Sequence, residues 1–245
     1  MYYICSMNNR KKLEKYGLYD PRFEHDSCGV GFICNVKGVR SHEIVTQGIE
    51  ILKRLAHRGA TGADPQTGDG AGILIQMPHE FMLKVAGENN ISLPQKGKYG
   101  TGLIFLPQIE SERKFCKAIF SSIIKQQKQE LLGWRKVPVD NTDIGKTAKE
   151  TQPVIEQVFI GIASSSATPR NDNGLEFERK LYVIRKQVEN IIRTSKLKQK
   201  SFFYITNLSS RTLSYKGLLM PEQVDSFFPD LKDKDMQSCL SLVHS

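Results

Sequence analysis

The spacing of apolar residues changes several times along this chain, and those changes restrict the fold more than any other feature of the sequence. Phe177, Leu181, Ile184, Val188, Ile191 and Ile192 recur at helical spacing and form one apolar stripe. A second helix is predicted after Ser41, which can cap it, with Val45, Gly48, Ile49, Leu52, Leu55 and Ala56 on the buried side. Helices are also predicted over His79 to Asn89 and over Glu110 to Leu132, the latter with Phe115, Ile119, Ile123 and Ile124 inward. Strand-like runs occupy Cys28 to Val36, Ile73 to Met77, Gly102 to Leu106, Trp134 to Val139, Val154 to Ala163 and Cys239 to Val243. Phe202 to Leu208 and Arg211 to Tyr215 read as an antiparallel hairpin turned at Ser209-Ser210. Residues 140–152 and 164–173 are polar and read as connections, the second exposed to solvent. Hairpins mixed with long helices lack the strict alternation of a doubly wound sheet, so the expected class is a layered α+β domain.

The 245 residues can bury a substantial core in one large domain or two small ones. No apolar run approaches the roughly 20 residues needed to cross a bilayer. At the N-terminus a short apolar stretch precedes Asn8-Asn9-Arg10-Lys11-Lys12, the reverse of the order in a secretory signal. The expected address is the cytoplasm, with no membrane partner. The cysteines Cys5, Cys28, Cys34, Cys116 and Cys239 are scattered, without CxxC or paired zinc-ligand spacing. Cys34, Cys116 and Cys239 are expected to be buried or incidental thiols. The formal net charge of +9 raises the question of nucleic acid, but the excess sits in Arg10-Lys11-Lys12 and in Arg179 to Lys200, without aromatics interleaved as a stacking platform requires. A solvated helix face explains it better, and nucleic acid is not an expected partner.

Two stretches point to chemistry. Residues 1–27 have no clear periodicity and read as a leader outside the core; they are followed at once by Ser27-Cys28-Gly29-Val30-Gly31-Phe32, a cysteine opening a glycine-bearing strand. Further on, Arg58-Gly59-Ala60 leads into Thr67-Gly68-Asp69-Gly70-Ala71-Gly72. That density of glycine suits a loop shaped around a site, although a tight irregular connection would use the same residues. Neither phosphate-binding pattern, GxxxxGK[ST] or GxGxxG after a strand, is present.

Taken together, DSCGVGF, HRGATGADPQTGDGAGILIQMP and FYITNLSSRTLSYKGLL resemble the glutaminase domain of the glutamate synthase large subunit, a class II glutamine amidotransferase of the N-terminal-nucleophile (Ntn) hydrolase superfamily. The resemblance runs in order from about Tyr19 to the last residue. It implies a four-layer αββα sandwich, with residues 1–27 a propeptide and residues 28–245 the N-terminal part of the amidotransferase domain. Cleavage between Ser27 and Cys28 would free the α-amine of Cys28. A thiol of pKa near 8.5 beside an amine of about 7.7–8.0 can pass its proton to that amine near neutral pH. While the leader is attached the same nitrogen is an amide, and that base is missing. The resemblance makes Cys28 the nucleophile that attacks the side-chain amide of glutamine, with Arg58 close to it in the substrate-binding region. A cation there favours the thiolate, and a basic residue at a helix C-terminus also complements the helix dipole. The Asp69 loop is assigned shaping and not catalysis, and His25, His42, His57 and His79 are not expected to act as bases.

In the family, the asparagine side chain and glycine amide that receive the oxyanion lie downstream of a motif beginning His-Ser, where this chain reaches its last residue. The arginine and aspartate that grip the substrate's carboxylate and amine lie there too. Asn173-Gly174 falls in a polar loop before a helix and is not taken for the oxyanion pair. The expected sandwich is therefore incomplete, with glutamine turnover below that of a whole domain. A non-catalytic remnant acting by interaction is the alternative, and a basic nucleic-acid binder a distant third. No cofactor is expected within this chain. FMN and an iron–sulfur cluster are implied for a full-length enzyme, as are the remaining large-subunit domains and a small subunit or ferredoxin as partners.

Overall fold

The computed structural model describes residues 29–58, 64, 66–163 and 174–245, with Arg58 described through its backbone alone. Two antiparallel four-stranded sheets form the centre. The first has the order β1 (Val30–Cys34), β8 (Leu240–His244), β2 (Ala71–Gln76), β7 (Thr212–Gly217). The second has the order β4 (Gln129–Lys136), β5 (Val154–Ile162), β3 (Tyr99–Leu106), β6 (Tyr204–Ile205).

Helix α1 (His42–Arg54) covers the outer face of the first sheet. Ser41 caps it by accepting from the Ile44 amide at 3.4 Å, the kind of bond whose loss costs about 0.5–2 kcal/mol. Its buried residues Ile44, Val45, Gly48, Ile49 and Leu52 are the predicted stripe. Leu55 and Ala56 pass into a single 3-10 turn, Ala56–Arg58, and are only half-buried. Helices α3 (Glu110–Gln126) and α5 (Leu175–Thr194) pack on the outer face of the second sheet. Phe120, Ile123 and Ile124 of α3 meet Leu181, Ile184 and Val188 of α5 in one core with Ile104 and Val158 of the sheet. A separate core joins α1, both sheets and α2 (His79–Glu88), whose Met82 receives a hydrogen bond from the buried Gln157 amide of β5 at 3.3 Å. From α1 through the two sheets to α3 and α5, the molecule has the four layers expected of the αββα sandwich.

Four expectations change. Helix α3 ends at Gln126, not near Leu132, because Lys128 turns into the left-handed region (φ 54°) and β4 begins at Gln129. Phe115 is largely exposed, while Cys116 and Phe120 point inward. The polar connection 140–152 contains the short helix α4 (Lys146–Glu150). Lastly, Tyr204 to Tyr215 is no hairpin: β6 pairs with β3 in the second sheet, and β7 pairs with β2 in the first. Glu178 of α5 fixes the crossing between them by accepting from Ser209 Oγ at 3.0 Å and from the Ser210 amide at 2.6 Å. The segment 164–173 lies outside the described residues, and with it Asn173. Gly174 begins α5 in the left-handed region (φ 76°).

Candidate active site

Strand register gathers the relevant chain ends at one end of the first sheet. Val30 and Gly72 both stand opposite His244. Beyond them, the Gly29 amide donates to the Ser245 carbonyl at 2.7 Å, and the Ser245 amide returns a bond to Gly29 at 2.8 Å. The start of β1, the end of β8 and the start of β2 thus lie side by side, with the glycine loop entering next to them. Helix α1 runs alongside β8 toward the same end. A methyl group at Gly48 would stand 2.0 Å from Ser241 Oγ, and one at Gly31 would stand 2.2 Å from Ile51 Cγ2. The Ala56–Arg58 turn therefore emerges at the end where β1 begins. Cys28 lies outside the described residues, as do residues 1–27, including His25.

Backbone packing explains the glycines of the loop. A Cβ at Gly68 would stand 2.3 Å from the Leu219 carbonyl oxygen, so only glycine permits the two segments to touch. Gly70 adopts φ +140°, a conformation that side-chain-bearing residues rarely take. Upstream, Asp64 shapes the turn by accepting from the Gln66 amide at 3.1 Å and the Thr67 hydroxyl at 3.0 Å. The Gln66 amide, foremost, holds its carboxyl below the ordinary aspartate range. Asp69 is exposed.

A cleft of about 1450 Å³ opens from this end between the sheets. Gly70, Gly72, Leu242, His244 and Ser245 line one wall, and Phe105, Tyr204, Ile144 and Ala148 line the other. Lys216 of β7 crosses it: its Nζ donates to the Tyr204 hydroxyl of β6 and lies 4.5 Å from that ring's centroid. Sequence reasoning singled out neither Lys216 nor Tyr204, although both lie in the block FYITNLSSRTLSYKGLL. Their pairing depends on the crossing between sheets that a hairpin reading hides.

The remaining candidates sort by environment. His42, His57 and His79 contact the Met236 carbonyl, the Arg54 carbonyl and the Tyr99 hydroxyl respectively, each at 3.0 Å. Cys116 is fully buried in the helix-facing core, and desolvation pushes its thiol up to about 11. Cys239 is half-buried with its thiol 3.1 Å from Gln76 Oε1. Cys34, expected to be buried, is exposed, because its face of β1 looks away from α1. Among the basic residues of α5, Tyr182 is an exposed aromatic with Lys186 Nζ 5.9 Å from its ring, a single contact and no platform. Among the described residues, no group of three or more His, Cys, Asp or Glu is placed to hold a metal ion, and no helix is long and apolar enough to cross a membrane.

Residues 28–245 match the family described as glutamine amidotransferases class-II. The chain is 50% identical over 229 residues to the glutamate synthase [NADPH] large chain of Bacillus subtilis, covering 94% of this chain and 14% of that protein. It is 42% identical over 230 residues to the glutamate synthase [NADH] of Schizosaccharomyces pombe, covering 93% of this chain and 11% of that one. A chloroplastic/mitochondrial ferredoxin-dependent glutamate synthase 1 of Arabidopsis thaliana is 35% identical over 227 residues, with 93% of this chain and 13% of the relative covered. The chain thus spans only a small fraction of the length of these relatives. With the family's match beginning at Cys28 and running through both sheets to Ser245, the chain belongs to the class-II glutamine amidotransferases.

Proposed function

We propose that residues 28–245 are the glutaminase segment of a glutamate synthase and that residues 1–27 are a propeptide removed before catalysis. One observation carries this reading: the family match starts at Cys28, and the next residue, Gly29, is bonded into the cleft end of the first sheet beside the glycine loop. In the proposed reaction the free α-amine of Cys28 takes the thiol proton, and the thiolate attacks the side-chain carbonyl carbon of glutamine. The tetrahedral intermediate collapses with cleavage of the C–N bond, and the nitrogen leaves as ammonia with the proton returned by the ammonium. Water then hydrolyses the γ-glutamyl thioester to glutamate and restores the thiol. Arg58, whose backbone emerges at this end, supplies positive charge to the substrate-binding region and favours the thiolate.

The whole enzyme would deliver the ammonia to 2-oxoglutarate and so make glutamate, in the cytoplasm. FMN and an iron–sulfur cluster belong to the longer polypeptide in this reading. The other large-subunit domains, and a small subunit or ferredoxin, are the proposed partners.

Intact-mass measurement with N-terminal sequencing tests the processing. The expected mature chain begins at Cys28. A catalytically competent protein that retains residues 1–27 would overturn it.

A further inference from the structure

The segment between β4 and β5 reaches from the second sheet to the glycine loop of the first, and it is held at both ends by glutamine side chains. Near its far end, Gln108 Nε2 donates to the Glu150 and Gln152 carbonyls at 3.0 and 2.9 Å. Near its start, Gln223 is 95% buried with all of its amide groups engaged. Its Nε2 donates to the Gln66 carbonyl at 3.0 Å and to the Asp143 carbonyl at 2.9 Å, and its Oε1 accepts from the Met220 amide at 2.8 Å. One side chain therefore joins the glycine loop, the segment after β4 and the turn after β7. The contact is close as well as hydrogen-bonded. The Gly145 amide donates to the Gln66 carbonyl at 3.3 Å, and a Cβ at Gly145 would stand 2.1 Å from Asp64 Oδ2.

We propose that Gln223 is a positioning residue that locks the glycine loop at residues 64–72 to the strap at residues 140–150, so that both walls of the cleft end keep one spacing. The strap contributes Ile144 and Ala148 to the cleft, and the loop contributes Gly70 and Gly72. A buried amide bridging two carbonyls cannot be replaced by water without reopening the space, and loss of both donors frees both segments together. The consequence for glutamine chemistry rests on the glutaminase reading: a loop displaced by about 1 Å misplaces the substrate against the nucleophile, an error that can cost about a hundredfold in rate.

Hydrogen exchange on the full chain tests the lock without reference to catalysis. In Gln223→Met, which keeps the volume and removes both donors, amide exchange is expected to rise roughly tenfold in peptides covering both 66–70 and 141–148, with the β2–β7 ladder from Ile73 onward unchanged. Gly145→Ala, acting from the strap side with Gln223 intact, is expected to loosen the same two segments, and it decides the matter if Gln223→Met does not fold. Exchange confined to 220–224, or unchanged in the strap, overturns the proposal. A second readout is the rate of Cys28 alkylation by a glutamine-like diazoketone, expected to fall about ten- to a hundredfold in a folded variant. Absence of Cys28 labelling in the unmodified protein would count against the glutaminase reading, leaving the exchange result to decide the lock.

Discussion

At the residue scale, the cysteines differ by what surrounds them. Cys116 lies among Phe120, Ile124 and Val158, where desolvation holds its thiol at about 11. Its folded pKa is above the ordinary thiol value of 9.0, so the stability it contributes is complete below pH 9 and is lost as pH rises toward 11. Relative to Cys116→Ala, the unmodified protein is expected to lose about 2–3 kcal/mol between pH 8 and pH 11, measured by urea unfolding. A parallel pH dependence in the two proteins would contradict this. The exposed Cys34 is expected to alkylate in the native state at pH 8 while Cys116 reacts only after unfolding. Sequence alone could not order Cys34 and Cys116, since exposure depends on which face α1 covers. The expectation for Cys28, by contrast, rests on its neighbours and on the resemblance they carry: a leader, a strand-opening cysteine and glycines occur together there. Gln223 offered only a local capping signal, its Oε1 accepting from Met220 three residues back, and nothing in the sequence pointed to the Gln66 and Asp143 carbonyls that its Nε2 joins.

At the scale of elements, the sequence was most readable where one face is buried. Helices α1 and α5 follow their apolar stripes, and Ser41 caps α1 as its side chain dictates. The end of α3 was not readable, because Gln127-Lys128-Gln129-Glu130 are all tolerant of helix and the break comes from the Lys128 backbone turning toward β4. The crossing from β6 to β7 was misread as a hairpin for a related reason: two short runs separated by two residues satisfy the local rule, while tertiary bonds to Glu178 send them to different sheets. The Glu178 carboxylate also accepts from Ser210 Oγ at 2.5 Å. Glu178→Ala is expected to cost about 1.5–3 kcal/mol, seen as a lower urea midpoint with an unchanged slope. A variant within a few tenths of the parent would show that the crossing is held by packing instead.

At the scale of the whole molecule, two helix-flanked sheets are tied across their depth by a buried ion pair. Arg135 of β4 donates to Asp230, which also accepts from the Tyr215 hydroxyl of β7 at 2.8 Å. Burial pushes the Asp230 carboxyl up and the Arg135 guanidinium opposes that push. Removing one partner strands the other charge, so Arg135→Met is expected to cost about 3–5 kcal/mol in urea unfolding. Arg135→Met combined with Asp230→Asn is expected to recover part of that loss, and equal or additive losses would contradict the pairing. The α+β class and its layering were readable from the alternation of apolar periods and from the motifs. The cleft was not, because its walls are assembled from several separate segments between Gly70 and Ser245.

The central claim is that Cys28 becomes a nucleophile when its own amine is free. The most direct measurement is peptide mapping after exposure to a glutamine-like diazoketone, comparing the chain that begins at Cys28 with the chain that retains residues 1–27. The account predicts a single adduct on Cys28, formed in the shorter chain, with little or none in the longer one. Equal labelling of the two chains, or an adduct on Cys34 or Cys239 in place of Cys28, would contradict it.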